Sequence, residues 1–287
     1  MKPKISVVIP VYNDEKRIGK VLQSLKRQNY KNFEIIVVDD GSKDKSPEIA
    51  KKYADKVIVN EHKGPAVARN TGIKNAKGEI VAFTDSDCEA KEDWLENINK
   101  FFSNKNNEVM MGKVVIPKST FIGDSISALG FPAGGHVGFE NMWKVSKEGF
   151  TDHLSSCNMA LRKKVFEEHG MIDESFPLAG AEDSELSYRL TKNGVKIRYN
   201  AEAIVVHEPR TSLKSFIKWQ ITRGRSNYHF KKKIGDVNEF IKLRAWSTKN
   251  IMKRYATDPK IVIIIPLLAL SFTLQQYGYF KEKILSK

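Results

Sequence analysis

Four acidic side chains in the first third of the chain stand directly after short apolar runs. Asp39 and Asp40 follow FEIIVV, whereas Asp85 and Asp87 follow EIVAFT with Ser86 between them, as a D-x-D motif. Alternate carboxylates at the end of a strand can approach one hard divalent cation, Mg²⁺ or Mn²⁺, which takes oxygen ligands. Each motif alone is equally consistent with a solvated turn. Two such pairs at neighbouring strand ends favour a cation or donor between them, because unpaired carboxylates repel each other.

The apolar runs belong to an alternating pattern of strands and helices. The predicted strands and the helices that follow them are 4–10 and 18–28, 33–42 and 47–54, 55–60 and 64–76, and 79–85 and 91–103. This alternation indicates an α/β fold with a mostly parallel sheet covered on both faces. Ligands of such sheets bind at the carboxyl ends of the strands, where Tyr12, Asn13 and the acidic pairs fall.

The second half of the chain is less regular at first. Residues 118–150, rich in Gly, Phe and Ser, are expected to form a mobile insertion or an acceptor loop. Further strands are predicted at 109–117, 155–161, 195–199 and 203–207, and further helices at 162–169, from Glu182 onwards, and at 211–234 and 236–254.

Composition excludes several classes of protein. The chain has 287 residues, 41% of them hydrophobic and 29% charged, so it can bury a normal core and is not disordered. Two cysteines, Cys88 and Cys157, are too few for a disulfide scaffold, lack the spacing of a zinc site and are expected to be buried. The N-terminus predicts a strand rather than a signal peptide, and we expect a cytoplasmic compartment.

The net charge of +14 is concentrated at the end of the chain. Residues 1–206 carry 31 Lys and Arg against 29 Asp and Glu, whereas residues 207–287 carry 17 against 5. A basic region of this kind binds nucleic acid, anionic lipid or a phosphorylated substrate. Acidic clusters at the strand ends argue against nucleic acid as the partner. A dinucleotide-binding dehydrogenase is disfavoured because no G-x-G-x-x-G follows the first strand.

Five motifs then carry a resemblance to a known family. They are IPVYND (9–14), VVDDGSKD (37–44), GPAVARNTGI (64–73), KGEIVAFTDSD (77–87) and GAEDSELSYRL (180–190). In this order and spacing they resemble the inverting glycosyltransferases of family 2, over about residues 4–225. The resemblance implies the GT-A fold, with a Rossmann-like central sheet and flanking helices. It implies a catalytic domain at 1–210, divided into a nucleotide-sugar part (about 1–117) and an acceptor part (about 118–210), and a C-terminal helical extension at 211–287.

The same resemblance implies which residues bind the nucleoside-diphosphate sugar, for which UDP is favoured. They are Pro10, Val11, Tyr12, Asn13, Asp40, Arg69, Asp85, Ser86, Arg223 and Arg225. Asp40 would accept a hydrogen bond from the base imide, and Asp39 would support the turn. Tyr12 is alternatively an aromatic residue that closes the sheet edge. Arg69 is equally expected as a structural salt-bridge partner.

The resemblance also implies a metal and a general base. Asp87 would bind Mn²⁺ or Mg²⁺, and His207, at the end of AIVVH, would complete the site unless it is structural. The cation would neutralise the diphosphate leaving group. Asp183 would take the proton of the acceptor hydroxyl, supported by Glu182. The alternative for Asp183 is a charge that stabilises a helix N-terminus.

Residues 219–226 (WQITRGRS) resemble two endings found in the family, Q-x-x-R-W of processive members and R-G-R-S of non-processive ones. The final Trp of the first ending is absent, which argues against processivity. Arg223 and Arg225 would clamp the diphosphate, or would belong to a solvated basic helix face.

The segment 261–280 is predicted to contact a membrane. Its continuous apolar part, 261–274, reaches roughly 21 Å as a helix, short of a bilayer core of about 30 Å. Together with the basic stretch before it, this favours an interfacial or re-entrant anchor on an anionic cytoplasmic membrane face. The alternative is a helix packed on the domain or in a homo-oligomer. The sequence therefore predicts a metal-dependent inverting glycosyltransferase with a lipid-linked or membrane-proximal saccharide acceptor. The alternative function is a basic nucleic-acid- or lipid-binding protein with a non-catalytic GT-A-like domain.

Overall fold

Short apolar runs rich in Val and Ile form the strands of one mixed sheet. In the computed structural model, which describes residues 4–286, the strands are β1 (Ile5–Val11), β2 (Phe33–Asp39), β3 (Lys56–Val59), β4 (Ile80–Thr84), β5 (Cys88–Ala90), β6 (Val109–Val115), β7 (Phe150–Thr151), β8 (Asn158–Arg162) and β9 (Ile197–His207). Their order across the sheet is β3-β2-β1-β4-β8-β6-β9-β5, and β7 pairs with β9.

Helices cover the sheet and continue beyond it. They are α1 (Ile18–Lys26), α2 (Ser46–Lys51), α3 (Pro65–Asn75), α4 (Trp94–Ser103), α5 (Phe121–Ser127), α6 (Phe139–Met142), α7 (Lys163–His169), α8 (Glu182–Lys192), α9 (Leu213–Ile234), α10 (Asn238–Tyr255) and α11 (Ile261–Leu285). The α/β class and the four strand–helix pairs predicted for the first hundred residues are thereby confirmed.

The parallel half of the sheet brings the first two strand ends together. β1 lies between β2 and β4 and is parallel to both. Its Ile and Val side chains point to both faces and are buried, as a strand covered by helices on two sides requires. Val11 is in register with Asp39, so Tyr12 and Asp40 leave the sheet at the same edge.

The antiparallel strands bring the remaining segments to that edge. β8 pairs with β4 so that Asn158 is opposite Thr84, which places the residues before β8 beside Asp85. β5 pairs with β9 so that Cys88 is opposite His207, which places Asp87 next to that histidine. The mixed half of the sheet therefore builds the site as much as the parallel half does.

Two predictions about the second half of the chain need correction. The strands expected at 195–199 and 203–207 are one strand, β9, whose register against β6 shifts at Gly112 and Lys113. Residues 118–150, expected to be a mobile insertion or an acceptor loop, form α5, α6 and tight turns, and their role in acceptor binding stays a prediction. Phe139 and Trp143 from this segment are buried in the main core. These aromatic side chains pack in the core although the sequence of the segment has neither a helical nor a strand period.

The helices α9 and α11 run in the same direction and pack closely. Phe216 shares an apolar cluster with Leu267 at one end, and Arg225 pairs with Glu282 near the other. Two glycines allow the close approach between the helices. A Cβ at Gly224 would overlap the backbone oxygen of Gln275, and a Cβ at Gly278 would overlap that of Ile221. A buried network joins Gln220 to Ser271 and Gln275.

The opposite face of α11 is exposed and largely apolar. We call this face, with Val262, Ile265, Phe272, Tyr277, Phe280 and Ile284, the apolar stripe. Phe272 is 67% exposed and Ile284 is 72% exposed. The helix α11 has 25 residues, and an 18-residue window within it has a mean hydropathy of 1.7, so it is long and apolar enough to cross a membrane by length and composition.

Candidate active site

A cavity of about 540 Å³ opens at the carboxyl ends of β1, β2 and β4. The predicted site residues that line it are Pro10, Val11, Tyr12, Asp40, Arg69, Asp85, Ser86, Asp87, Glu182, Asp183, His207 and Arg223. Residues separated by up to 213 positions in sequence thus share one cavity. Asn13, Asp39 and Arg225 do not line it.

Tyr12 and Asp40 form the end of the cavity where the nucleobase was expected. The ring of Tyr12 is 44% exposed and stacks on His62, with 4.0 Å between the ring centroids. Both carboxylate oxygens of Asp40 accept hydrogen bonds of 2.9 Å, from the backbone amides of Lys63 and Gly64. Asp40 therefore also holds the loop that presents His62, a residue for which the sequence offered no motif.

Asn13 and Asp39 serve the turns beside this end. The backbone amide of Asn13 donates to Ser42 Oγ, and the side-chain oxygen of Asn13 accepts from the backbone amide of Lys43. Asp39 Oδ2 accepts from the backbone amide of Ser42 at 3.0 Å. The predicted donor-binding role of Asn13 is not supported by this geometry, because the residue does not line the cavity and its side-chain oxygen is engaged in the turn.

Arg69 connects the donor side of the cavity to the start of α8. Its guanidinium donates to Asp85 Oδ1 at 2.8 Å and to Glu182 Oε1 at 3.0 Å. Glu182 also accepts from the backbone amide of Gly180. Arg69 is 4% exposed, so it is a buried salt-bridge partner that also lines the cavity. The salt-bridge alternative describes this residue, and its contact with the donor stays a prediction.

Glu182 and Asp183 begin α8 and are held close to each other. Ala181 precedes them with φ of 76°, a left-handed conformation that is costly for a residue with a Cβ and that turns the chain sharply into the helix. Burial and the neighbouring charge of Asp183 raise the pKa of Glu182 to about 7. Burial also raises the pKa of Asp183, whereas Arg69 opposes the shift. Asp183 Oδ2 accepts from the backbone amide of Ser156.

Asp87 and His207 form a pair that fits a divalent cation. His207 Nδ1 lies 2.8 Å from the backbone oxygen of Glu208. Because a carbonyl only accepts, Nδ1 carries the proton and the lone pair of Nε2 is free to bind, an arrangement common among metal-ligating histidines. Nε2 lies 3.4 Å from Asp87 Oδ1. Cys88 Sγ is nearby, but burial raises the pKa of its thiol, and a protonated thiol is a poor ligand for a hard cation.

The two arginines predicted to clamp the diphosphate point in different directions. Arg223 lines the cavity, whereas Arg225 donates to Glu282 of α11 at 2.6 Å. Two residues along a helix differ by about 200° in direction, so both cannot face the same ligand. The prediction for Arg225 is corrected on this ground.

The far end of the cavity contains residues that the sequence analysis missed. Arg210, Trp219, Arg244, Phe131 and Trp143 line it. They come from α9, α10, the segments on either side of α6 and the segment before α9, and no local motif joins them. The helices of the predicted C-terminal extension are therefore part of the cavity wall.

The fold and the site together define a nucleotide-sugar glycosyltransferase of the GT-A class, and comparison with known proteins identifies the family. The sequence model of Glycosyl transferase family 2 matches residues 6–170. The chain is also 30% identical, over 77% of its length and 71% of the relative, to the Methanococcus voltae dolichyl N-acetyl-alpha-D-glucosaminyl phosphate 3-beta-D-2,3-diacetamido-2,3-dideoxy-beta-D-glucuronosyltransferase. The chain belongs to glycosyltransferase family 2. Several other relatives are longer, and the chain covers only a small part of them.

Solved structures show the same fold at low sequence identity. The Pyrobaculum calidifontis mannosyltransferase PcManGT, in complex with GDP-Man and Mn²⁺, has a TM-score of 0.61 at 20% identity, covering 98% of this chain and 87% of its own. S. aureus TarS 1–349, in complex with UDP-GlcNAc, has a TM-score of 0.58 at 20% identity, covering 96% of this chain and 89% of its own. The predicted family, fold and enzyme class are confirmed.

Proposed function

We propose that this protein is a metal-dependent inverting glycosyltransferase that uses a UDP-sugar and acts on a lipid-linked or membrane-proximal saccharide. The observation that carries the proposal is that Asp183 and the Asp87–His207 pair line one cavity. Arg69 links Asp85, two residues before Asp87, to Glu182, the neighbour of Asp183. The salt bridges of Arg69 thus connect the segment that carries the proposed base, Asp183, to the segment that carries the proposed cation ligand, Asp87.

The reaction follows from this arrangement as a direct displacement. The acceptor oxygen forms a bond to the anomeric carbon as the bond to the diphosphate oxygen breaks, and the nucleoside diphosphate leaves with that electron pair. Asp183 accepts the proton of the acceptor hydroxyl, and its raised pKa brings its basicity closer to that task. Asp87 and His207 would hold the cation, which supplies positive charge to the departing diphosphate.

The choice of UDP rests on the nucleobase end of the cavity. Tyr12 offers an exposed ring on which a base can stack. Asp40 has lone pairs left after its two backbone hydrogen bonds and can accept the imide proton of uracil. The similar structures hold either GDP-Man or UDP-GlcNAc, so the fold accommodates both bases and a donor screen has to include both.

The apolar stripe of α11 supports a membrane-bound acceptor. α9 packs along α11, and its Lys214 and Lys218 are exposed. A spanning orientation would carry such charges into the hydrocarbon, which is costly. We therefore propose that α11 lies in the interface of an anionic cytoplasmic leaflet, with the apolar stripe in the acyl region and the basic side chains near the headgroups. The relative named for a dolichyl phosphate-linked sugar is consistent with such an acceptor.

A donor screen tests the enzymatic proposal. Release of nucleoside diphosphate would be measured for UDP-glucose, UDP-N-acetylglucosamine and GDP-mannose, with a lipid extract as acceptor and with Mn²⁺, Mg²⁺ or EDTA. We expect release from one UDP-sugar that requires the cation and falls by about two to four orders of magnitude in Asp183→Asn. Asp152→Asn, which changes an exposed aspartate, serves as the matched control. Full release in EDTA, or full release by Asp183→Asn, would contradict the proposal.

A vesicle experiment tests the membrane orientation. The full-length protein should sediment with vesicles that contain phosphatidylglycerol. The Debye length is about 10 Å at 0.1 M salt and shorter at roughly 0.5 M, so 0.5 M salt should screen the basic side chains and release only part of the protein. The double variant Phe272→Glu/Phe280→Glu should remain in the supernatant. Val59→Glu places a single negative charge on an exposed apolar residue of β3 and should sediment like the wild type. Sedimentation of the double variant with the vesicles would show that the apolar stripe does not enter the membrane.

A further inference from the structure

Three arginines at the far end of the cavity alternate with two aromatic rings. The guanidinium of Arg210 lies 4.8 Å from the ring centroid of Trp219, and that of Arg223 lies 5.2 Å from the same centroid. Arg223 also lies 3.8 Å from the centroid of Phe131, which is 4.4 Å from the guanidinium of Arg244. All five residues line the cavity, and we call them the arginine row.

The arginine row carries positive charge that no direct ion pair within the described residues neutralises. Among residues 4–286, none of the ion pairs includes Arg210, Arg223 or Arg244. Within the same residues, the Nη1 atom of Arg223 is buried without a hydrogen-bond partner. Burial and the charge of Arg223 lower the pKa of Arg244 to about 9. Contacts with the aromatic rings stabilise the cations in part. An anionic ligand would also neutralise their charge and accept the hydrogen bonds of the guanidinium groups.

The row runs from the proposed metal side of the cavity to the side of Asp183. Burial lowers the pKa of Arg210 and that of Arg223, and the nearby carboxylates of Asp87 and Asp183, respectively, oppose the shift. Arg244 lies 4.4 Å from the ring centroid of Phe131 and near His153, whose pKa is lowered to about 3 by burial and by the charges of Arg244 and Arg223. A ligand group bound between Arg223 and Arg244 would therefore lie next to the acceptor hydroxyl rather than next to the donor diphosphate.

We propose that Arg223 and Arg244 bind a phosphate group carried by the acceptor, close to the hydroxyl that reacts. The inference rests on the glycosyltransferase function proposed above and adds the chemical class of the acceptor. Guanidinium groups bind phosphate oxygens through paired, charge-assisted hydrogen bonds. Arg210, at the metal side, remains available to the donor diphosphate.

The surroundings of the row favour a phosphate attached to a lipid over a free sugar phosphate. Trp219 packs on an apolar cluster of Ile126, Phe216 and Leu267, which come from α5, α9 and α11. The same helix α11 exposes the apolar stripe on its other side. Apolar side chains therefore lie between the phosphate site and the proposed membrane face, and they offer apolar contacts to the lipid part of such an acceptor.

Calorimetry on the full-length protein, saturated with UDP and Mn²⁺, tests the site with four probes. The probes are citronellyl phosphate, N-acetylglucosamine 1-phosphate, and their neutral counterparts citronellol and N-acetylglucosamine. We expect both phosphates to bind more tightly than the neutral compounds. Tighter binding of citronellyl phosphate identifies a lipid phosphate, and tighter binding of the sugar phosphate identifies a soluble one. Equal affinity for the charged and neutral members of each pair would overturn the proposal.

Variants locate the effect on the arginine row. Arg244→Gln should weaken phosphate binding roughly tenfold to a hundredfold while UDP binds as before. Arg198→Gln removes an arginine that lies 4.5 Å from the ring of Phe150, away from the cavity, and should bind as the wild type does. Unchanged phosphate affinity in Arg244→Gln, or an equal loss of UDP affinity, would overturn the assignment.

Two further measurements separate the possible failures. If circular dichroism shows that Arg244→Gln is unfolded, Arg244→Lys, which keeps the charge but loses the paired geometry, should show a smaller loss of phosphate affinity and carries the test. Failure of the proposed function would appear as no donor consumption with any acceptor. Failure of the acceptor site alone would appear as transfer to neutral acceptors that Arg244→Gln does not reduce.

Discussion

Replacing Arg69 by methionine should destabilise the protein more than any substitution of an exposed charge. Met fills a similar volume but leaves Asp85 and Glu182 without the guanidinium that they share at 2.8 and 3.0 Å. Removing one partner of a buried ion pair costs about 3 to 5 kcal/mol, because the other charge stays buried without compensation. Total stabilities are about 5 to 15 kcal/mol, so the expected loss is a large share of the whole.

The pH dependence distinguishes this cause from simple loss of packing. Without Arg69, the folded-state pKa of Glu182 rises further above its unfolded value, because burial and Asp183 already raise it. A carboxyl group whose folded pKa is raised stabilises the fold when protonated and loses that contribution as pH rises. The deficit of Arg69→Met should therefore be small near pH 5 and largest near pH 8.

Urea denaturation of the full-length protein at several pH values measures this effect. Lys242→Met, which removes an exposed partner of Glu239, is the control and should change the free energy of unfolding by less than about 1 kcal/mol. The double variant Arg69→Met/Glu182→Gln should recover part of the loss, since one buried charge is gone. If Arg69→Met costs no more than the control, or costs the same at pH 5 and pH 8, the bridge does not stabilise the fold as argued.

Three shorter predictions concern the metal, the base and the helix contact. Asp87→Ala should lose the increase in UDP affinity that Mn²⁺ produces, measured by calorimetry with and without EDTA; an intact Mn²⁺ effect would exclude Asp87 as a ligand. Turnover should fall as pH is lowered through a pKa above the usual range of an aspartate, because Asp183 must be ionised to accept a proton; a constant rate down to about pH 4 would contradict this. Gly278→Leu should lower the melting temperature by roughly 5 °C, because the new side chain would clash with the backbone of Ile221. Ala269→Leu, on the exposed side of α11, should leave the melting temperature unchanged. Equal melting temperatures of the two variants would show that the helices can separate freely.

The parts of the fold that the sequence predicts are those with a strong local signal. The strands ending at Val11, Asp39 and Thr84 are mostly apolar and rich in β-branched residues, and each is followed by polar turn residues. The residue pattern and the composition therefore both indicate strands at these positions. The Asp87–His207 pair could be predicted only through the family resemblance. Its physical cause is the pairing of β5 with β9, and a strand of three residues leaves little trace in a sequence.

Other parts depend on tertiary contacts that no local pattern records. Arg210, Arg244 and Phe131 meet because α9 and α10 fold back over the segment before α6. Arg223 and Arg225 both match a motif, but only the direction of each side chain on α9 decides which one reaches the cavity. Residues 118–150 lack a regular period because Phe131, Phe139 and Trp143 pack against one another from different turns rather than along one helical or extended face.

The two working faces of α9 also restrict how the length of this segment can change. Trp219 and Arg223 face the cavity, while Gln220 and Gly224 meet α11. One residue inserted between Trp219 and Arg223 would turn everything after it by about 100°, so Arg223 would leave the cavity and Gly224 would leave the contact with α11. An insertion after Ile234, where α9 ends, leaves both faces in phase. Relatives that differ in length here are therefore expected to carry their insertions beyond the end of α9.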